Sequence, residues 1–162
     1  MGALAGRGDV MDVFKIGGTG PHLPQSGTFS ANPVSMGAGL IAMEAFDIPA
    51  VARLNKLGQM ARDRIREEIS RSGLPACVTG TGSLFRIHFK SSPPTDYRSA
   101  YPTPNQKKAL DQFIDGLFDN GVLVIYSSMG SLSTPMGDEE IDRLGAAVRN
   151  SLQRVDPGLL SS

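Results

Sequence analysis

The sequence has few of the features that mark secreted, membrane or nucleic-acid-binding proteins. Cys77 is the only cysteine, so no internal disulfide can form and a secretory framework is not indicated. No stretch reaches the roughly 18 consecutive apolar residues of a membrane-spanning helix, and residues 1–7 lack the order of a signal peptide. Lys+Arg and Asp+Glu both number 16, so no net charge attracts nucleic acid or an anionic membrane. A soluble cytoplasmic protein is expected.

The sequence also gives little support for a metal site or a nucleotide-binding loop. His22 and His88 are far apart and have no paired carboxylate or cysteine spacing, so we expect no metal site. The glycine-rich residues 17–20 lack the Lys-Ser/Thr ending of a P-loop and are interpreted as a flexible loop. With 162 residues, 40% of them hydrophobic, the chain can bury a core. It is either one ordinary domain or a part that completes a larger one.

The first 47 residues look like the tail of another domain. Residues 2–6 are small and apolar, which favours a strand of a sheet, and a short helix follows at residues 10–14. A loop then continues to Asn32, a good N-cap before Pro33 at the first helical turn. The helix behind it has almost no polar face, which is typical of a helix buried on most sides.

From Ile48 onward the pattern predicts helix, strands, helix, strand and helix. An amphipathic helix extends to Ser72 and stops at Gly73, and residues 78–90 alternate as extended structure broken at 80–82. After a surface loop at 91–104, a helix over 110–118 precedes a short buried strand at 122–126. A second loop covers 127–137, and Asp138 caps the last helix. This order predicts a compact α+β layer with helices over a small sheet.

Three stretches together resemble the class III aminotransferases, most closely the glutamate-1-semialdehyde 2,1-aminomutase branch. They are GALAGRGDVM at residues 2–11, QSGTFSANP at 25–33 and GTGSLF at 80–85. The second stretch is the most specific, and the resemblance covers essentially the whole chain in order and spacing. It implies an α/β, fold-type I enzyme that uses pyridoxal 5'-phosphate (PLP). Residues 1–47 would be the end of the PLP-binding large domain, and residues 48–162 a linking helix and the C-terminal small domain.

The resemblance also implies an obligate homodimer with cofactor sites at the subunit interface. Gly27 and Thr28 would bind the cofactor phosphate of the neighbouring subunit. The chemistry agrees, because a phosphate dianion prefers backbone N–H groups and a hydroxyl, presented where glycine lets the backbone approach closely. The helix N-terminus at Asn32 and Pro33 adds a favourable dipole.

The same resemblance implies that the catalytic residues lie outside this sequence. In the family, the lysine that binds the cofactor precedes the first stretch. The acid that pairs with the pyridine nitrogen and the stacking aromatic ring also lie upstream. Every lysine of the chain stands outside the matching motif: Lys15, Lys56, Lys90, Lys107 and Lys108. We therefore expect no catalytic residue here and no transamination by the chain alone.

Several alternatives remain at this point. Thr28 is either a phosphate ligand or a loop residue that caps the following helix. Arg86 is either a solvent-facing strand residue or a guanidinium that holds a substrate carboxylate. The chain is either the C-terminal portion of an aminotransferase or aminomutase acting on an amino acid or amino-aldehyde, or a non-catalytic fragment or interaction module derived from one.

Overall fold

The chain divides into two compact units, Met1–Asp47 and Ile48–Ser162. A computed structural model describes residues 2, 4–15, 17 and 23–161. His22 and most of the glycine-rich stretch 17–20 therefore lie outside the described residues. The assignment of the two units to a large and a small domain stays a prediction.

The first unit contains two short helical segments and one longer helix. Helix α1 spans Gly8–Met11, a 3-10 turn follows at Asp12–Phe14, and α2 spans Pro33–Ala45. The predicted strand at residues 2–6 is wrong, because residues 2 and 4–7 are irregular. In this unit no described residues form a strand that could pair with them, and a strand is stable only with a partner.

Helix α2 forms as predicted, but its predicted burial is wrong within this unit. Gly39 is its only buried residue, and Leu40 and Ile41 are 59% and 68% exposed. No described element of the unit lies over its apolar sides. The apolar residues on all sides of α2 therefore indicate a helix suited to burial. The residues that would bury it lie outside this unit.

The second unit is an α+β layer, as the sequence predicts. Helix α3 spans Ile48–Ser72, and strands β1 and β2 span Cys77–Thr79 and Leu84–His88. A single turn α4 at Tyr97–Ala100 precedes α5 at Pro104–Asp119. Strand β3 spans Met129–Ser131 and α6 spans Asp138–Leu152, before a 3-10 turn at Pro157–Leu159. The strands form one antiparallel sheet in the order β1-β2-β3.

Helices α3, α5 and α6 share one hydrophobic core with the sheet. Phe85, Ile87 and Phe89 point into it from β2 and the residue after it, as the predicted alternation requires. Phe89 meets Phe113 of α5 edge to face, with 5.7 Å between the ring centres. Helix α3 stops at Gly73 and α5 before Gly121, and both glycines have positive φ. The core fixes the position of β2 and of the polar residues on its other face.

The predicted strand at residues 122–126 is wrong, and β3 lies a few residues later. Val122 donates its N–H to the Leu117 carbonyl and Ile125 donates to the Met129 carbonyl, which closes a turn. The segment that pairs with β2 is Met129–Ser131, with Met129 opposite Arg86. Val122 and Val124 still pack against the core, because an apolar pattern reports burial and does not specify which residues join the ladder.

Helix α6 begins at Asp138, so its N-cap is Gly137 and not the predicted Asp138. Glu140 accepts the Gly137 N–H at 2.8 Å, which satisfies the free backbone donor at this end.

Over the described residues, no single helix is long and apolar enough to cross a membrane. Helices α2 and α3 meet that test of length and composition only when they are joined across their break.

Candidate functional site

The loop before α2 places Gly27 and Thr28 in a tight, exposed turn. The Ser30 N–H bonds the Gly27 carbonyl at 2.9 Å, and the Asn32 N–H bonds the Phe29 carbonyl at 3.2 Å. Ala31 has a φ of 54°, in the left-handed region that glycine prefers. These two bonds and the left-handed residue form a tight turn in which Thr28 is exposed.

The turn presents hydrogen-bond donors at the surface. Within residues 23–47, neither the Thr28 hydroxyl nor the N–H groups of Gly27 and Thr28 make a hydrogen bond, and both residues are exposed. A Cβ on Gly27 would lie 3.1 Å from the Ser30 hydroxyl, a tight contact, so the turn favours glycine at this position. A small set of N–H and hydroxyl donors around an open backbone fits a phosphate group.

Asn32 is the N-cap of α2, as predicted. Its side-chain oxygen accepts the N–H groups of Val34 and Ser35 at 3.1 and 3.2 Å. The alternative in which Thr28 caps this helix is therefore wrong. The cap also occupies the first free N–H groups of the helix. An anion near this end of α2 would therefore be stabilised by the helix dipole, and its hydrogen-bond donors would come from the loop.

Arg86 lies half-buried on β2, between Thr79 of β1 and Met129 of β3. Its Nε donates to the Ser127 carbonyl at 3.3 Å. Within the described chain, no carboxylate lies within ion-pair distance of its guanidinium. Arg86 belongs to the second unit and the Gly27–Thr28 turn to the first.

His88 lies two residues beyond Arg86 on β2, and its pKa responds to burial and to the neighbouring positive charges. It is buried, although the alternation predicts an outward-facing residue. The Thr79 hydroxyl lies 3.0 Å from its Nε2. Burial, followed by the charges of Arg86 and Lys90, lowers the pKa of His88 to about 4. His88 is therefore neutral at pH 7. No group of three metal-ligating side chains occurs among the described residues.

The sequence interpretation missed an aromatic cluster beside Arg86. Tyr97 and Tyr101 lie in the region predicted as a plain surface loop, and Tyr126 lies in the turn before β3. All three surround one surface groove together with Arg86 and Lys107. The i,i+4 spacing of Tyr97 and Tyr101 was the available signal, but only the fold brings Tyr126 beside them.

Comparison with known proteins identifies the family. No family model matches the chain. It is 36% identical to a glutamate-1-semialdehyde 2,1-aminomutase of Opitutus terrae over 88% of the chain and 33% of the relative. An omega-transaminase structure from Sphaerobacter thermophilus superposes with a TM-score of 0.82 at 38% identity, covering 92% of the chain and 34% of that protein.

A second solved structure, a transaminase with PLP bound, superposes with a TM-score of 0.74 at 36% identity. It too is matched over 92% of this chain and 34% of its own length. The chain thus spans about a third of the length of the relatives it matches. Sequence similarity over most of the chain and a shared fold lead to the same conclusion: the chain belongs to the class III, fold-type I family of pyridoxal-phosphate-dependent aminotransferases and aminomutases.

Proposed function

We propose that the full-length protein containing this chain is a PLP-dependent aminotransferase or aminomutase, similar to glutamate-1-semialdehyde 2,1-aminomutase. We propose further that it works as a cytoplasmic homodimer. In it, the Gly27–Thr28 turn of one subunit binds the cofactor phosphate of the other. The observation that carries this proposal is the open turn, in which a hydroxyl and two N–H groups have no partner within residues 23–47.

The turn's part in the reaction is to hold the cofactor in place. The Thr28 hydroxyl and the backbone N–H groups of Gly27 and Thr28 donate to phosphate oxygens, which anchors one end of the cofactor. When bound, PLP supplies the electron-withdrawing ring on which amino-group transfer depends. A fixed phosphate limits the rotation of that ring against the substrate, so the turn contributes orientation and not acid–base chemistry.

Arg86 is the proposed ligand of the substrate carboxylate. A guanidinium presents paired N–H donors that match a carboxylate, and this one has no acidic side chain competing for it within the described residues. The substrate would be an amino acid or an amino-aldehyde. None of the five lysines is proposed as catalytic, so the 162-residue chain by itself is expected to be inactive.

A cofactor titration of the full-length protein tests the role of the turn. Because a hydrogen bond to a charged group contributes about 1.5–3 kcal/mol, Thr28→Ala should weaken PLP affinity roughly ten- to a hundredfold. Thr28→Ser keeps the donor and should retain most of the affinity. Ser26→Ala removes a hydroxyl from the same loop and serves as the matched control, with affinity unchanged.

The expected pattern separates hydrogen bonding from packing. Thermal stability of the cofactor-free protein should change little in all three variants, because an exposed loop hydroxyl loses no buried partner. Equal PLP affinity of Thr28→Ala and the unmodified protein contradicts the proposal. So does a Thr28→Ser protein that binds as poorly as Thr28→Ala.

A further inference from the structure

A surface groove in the second unit has the composition of a ligand site. It has a volume of about 520 Å³, which lies within the usual range for pockets that hold small molecules. Arg86 of β2 lies at one side, Tyr97 and Tyr101 come from α4 and the residue after it, and Lys107 comes from α5. Tyr126 closes the groove from the turn before β3.

Two cationic side chains line the groove, and they differ in their partners. Lys107 forms an ion pair with Asp111 of its own helix. Arg86 has only the Ser127 carbonyl, which accepts from its Nε, so its two terminal nitrogens lack a partner within the described residues. No acidic residue lines the groove. Arg86 is therefore the group that an incoming anion would meet, and a carboxylate matches its planar, paired donors.

The walls of the groove are aromatic and uncovered. The rings of Tyr97 and Tyr101 are tilted by 52° to one another, with 6.2 Å between their centres. Tyr97, Tyr101 and Tyr126 are 80%, 66% and 81% exposed. Three exposed tyrosines in the same groove as one guanidinium favour a ligand with a flat apolar body, because aromatic rings bury large area at a low cost in side-chain entropy.

We propose that this groove binds a carboxylate that carries a planar apolar body, with Arg86 holding the carboxylate and the tyrosines packing against the body. The binding step involves only residues of Ile48–Ser162 and needs no PLP. One extension rests on the proposed function: with Arg86 as the substrate's carboxylate ligand, the same groove selects amino acids with an aromatic or extended apolar side chain over short polar ones.

Intrinsic tyrosine fluorescence of the 162-residue chain provides a direct test. The chain has three tyrosines and no tryptophan, and all three tyrosines line the groove, so the signal reports on this site. The probes are 3-phenylpropionate, its neutral isostere 3-phenylpropanamide, and propionate, which lacks the ring. Saturable change is expected with 3-phenylpropionate, with an affinity at least tenfold weaker for each of the other two.

Two variants assign the carboxylate to Arg86. Arg86→Gln should weaken 3-phenylpropionate binding at least tenfold, since it removes the charged donor. Arg98→Gln is the matched control, because Arg98 is an exposed arginine of α4 outside the groove lining, and binding should not change. Should Arg86→Gln fail to fold, the comparison of acid and amide on the unmodified chain still decides.

Three results would overturn the proposal. They are equal binding of the amide and the acid, unchanged binding by a folded Arg86→Gln protein, and no saturation by 3-phenylpropionate. Each is independent of the Thr28 titration, because no cofactor is present. If 3-phenylpropionate binds as expected but Thr28→Ala leaves PLP affinity unchanged, the groove is a ligand site and the phosphate role of the turn is rejected.

Discussion

Arg149 of α6 donates two hydrogen bonds to Glu68 of α3, at 2.9 Å from Nε to Oε2 and 2.8 Å from Nη2 to Oε1. The Glu68 side chain is 0% exposed, whereas that of Arg149 is 46% exposed. Arg64 and Arg71 lie 3.4 and 3.3 Å from Glu68 Oε1. One buried carboxylate of α3 is thus joined to α6 through Arg149, and two guanidinium groups of α3 itself lie beside it.

We predict that Glu68→Gln destabilises the second unit in a pH-dependent way. The Arg149 hydrogen bonds lower the pKa of Glu68, against the opposing effect of burial. A lowered folded-state pKa means that the stabilisation is fully present above the unfolded value of about 4.5 and is lost as pH falls through the folded pKa. At pH 7 the variant should lose about 2 kcal/mol in the free energy of unfolding, measured by urea denaturation.

The difference between Glu68→Gln and the unmodified chain should shrink at acid pH. Glu139→Gln is the control, since Glu139 pairs with Arg143 on the exposed side of α6, with both side chains 72% exposed. Its effect should stay below about 0.5 kcal/mol. A Glu68→Gln loss that is the same at pH 3 and pH 7 would contradict the electrostatic explanation and leave only packing.

Gly58→Ala should destabilise the contact between α3 and the turn that joins β1 and β2. A Cβ at Gly58 would lie 2.0 Å from the Gly82 carbonyl oxygen, and Arg62 holds that oxygen with a 2.8 Å hydrogen bond. A clash with fixed backbone outweighs the gain of about 0.5–1 kcal/mol from replacing a helical glycine. We expect a net loss of about 1–2 kcal/mol in the free energy of unfolding.

The control for that added methyl group is Gly37→Ala, at an exposed helical glycine of α2. A Cβ at Gly37 meets nothing within 4 Å, so this substitution should not lower the free energy of unfolding. A Gly58→Ala protein as stable as the control would show that α3 and the Gly82 turn can separate without loss.

Asn32→Ala should loosen the start of α2. Asn32 accepts the N–H groups of Val34 and Ser35, and loss of such a cap costs about 1 kcal/mol. A 13-residue helix with exposed sides has little other stabilisation. Amide hydrogen exchange at Val34 and Ser35 should therefore become about fivefold faster. Asn32→Asp keeps an acceptor and should exchange at the original rate; equal acceleration in both variants would show that the cap is unimportant.

Incubation of the 162-residue chain with PLP and borohydride should modify no single lysine completely. Borohydride traps a lysine that has become covalently linked to the cofactor, and a catalytic lysine reacts stoichiometrically. Here Lys15 pairs with Asp12 at 2.7 Å and Lys90 bonds Gln106 at 3.2 Å, while Lys56 and Lys108 are simply exposed. Mass spectrometry should find scattered, partial labelling; complete labelling of one site together with turnover would contradict the expectation.

Local signals in the sequence predicted local structure well. The apolar spacing of α3, its stop at Gly73, the break between β1 and β2 and the Asn32 cap are all confirmed, because each depends on residues within a few positions of one another. The strand expected at residues 122–126 is wrong, since its apolar residues pack on the core while pairing with β2 falls to Met129–Ser131. The roles of Gly27, Thr28 and Arg86 stay predictions.

The sequence by itself determined the family of this protein, its α+β second unit and the loop that carries Gly27 and Thr28. These follow from periodicity, capping and motif order, which are written along the chain. Only the tertiary structure decided that Glu68 is joined to Arg149, that His88 is buried and neutral, and that three tyrosines line the same groove as Arg86. Such groupings depend on which helix face meets which strand, and 81 residues separate Glu68 from Arg149. Local residue spacing does not predict contacts over that separation, because such contacts depend on how the whole core packs.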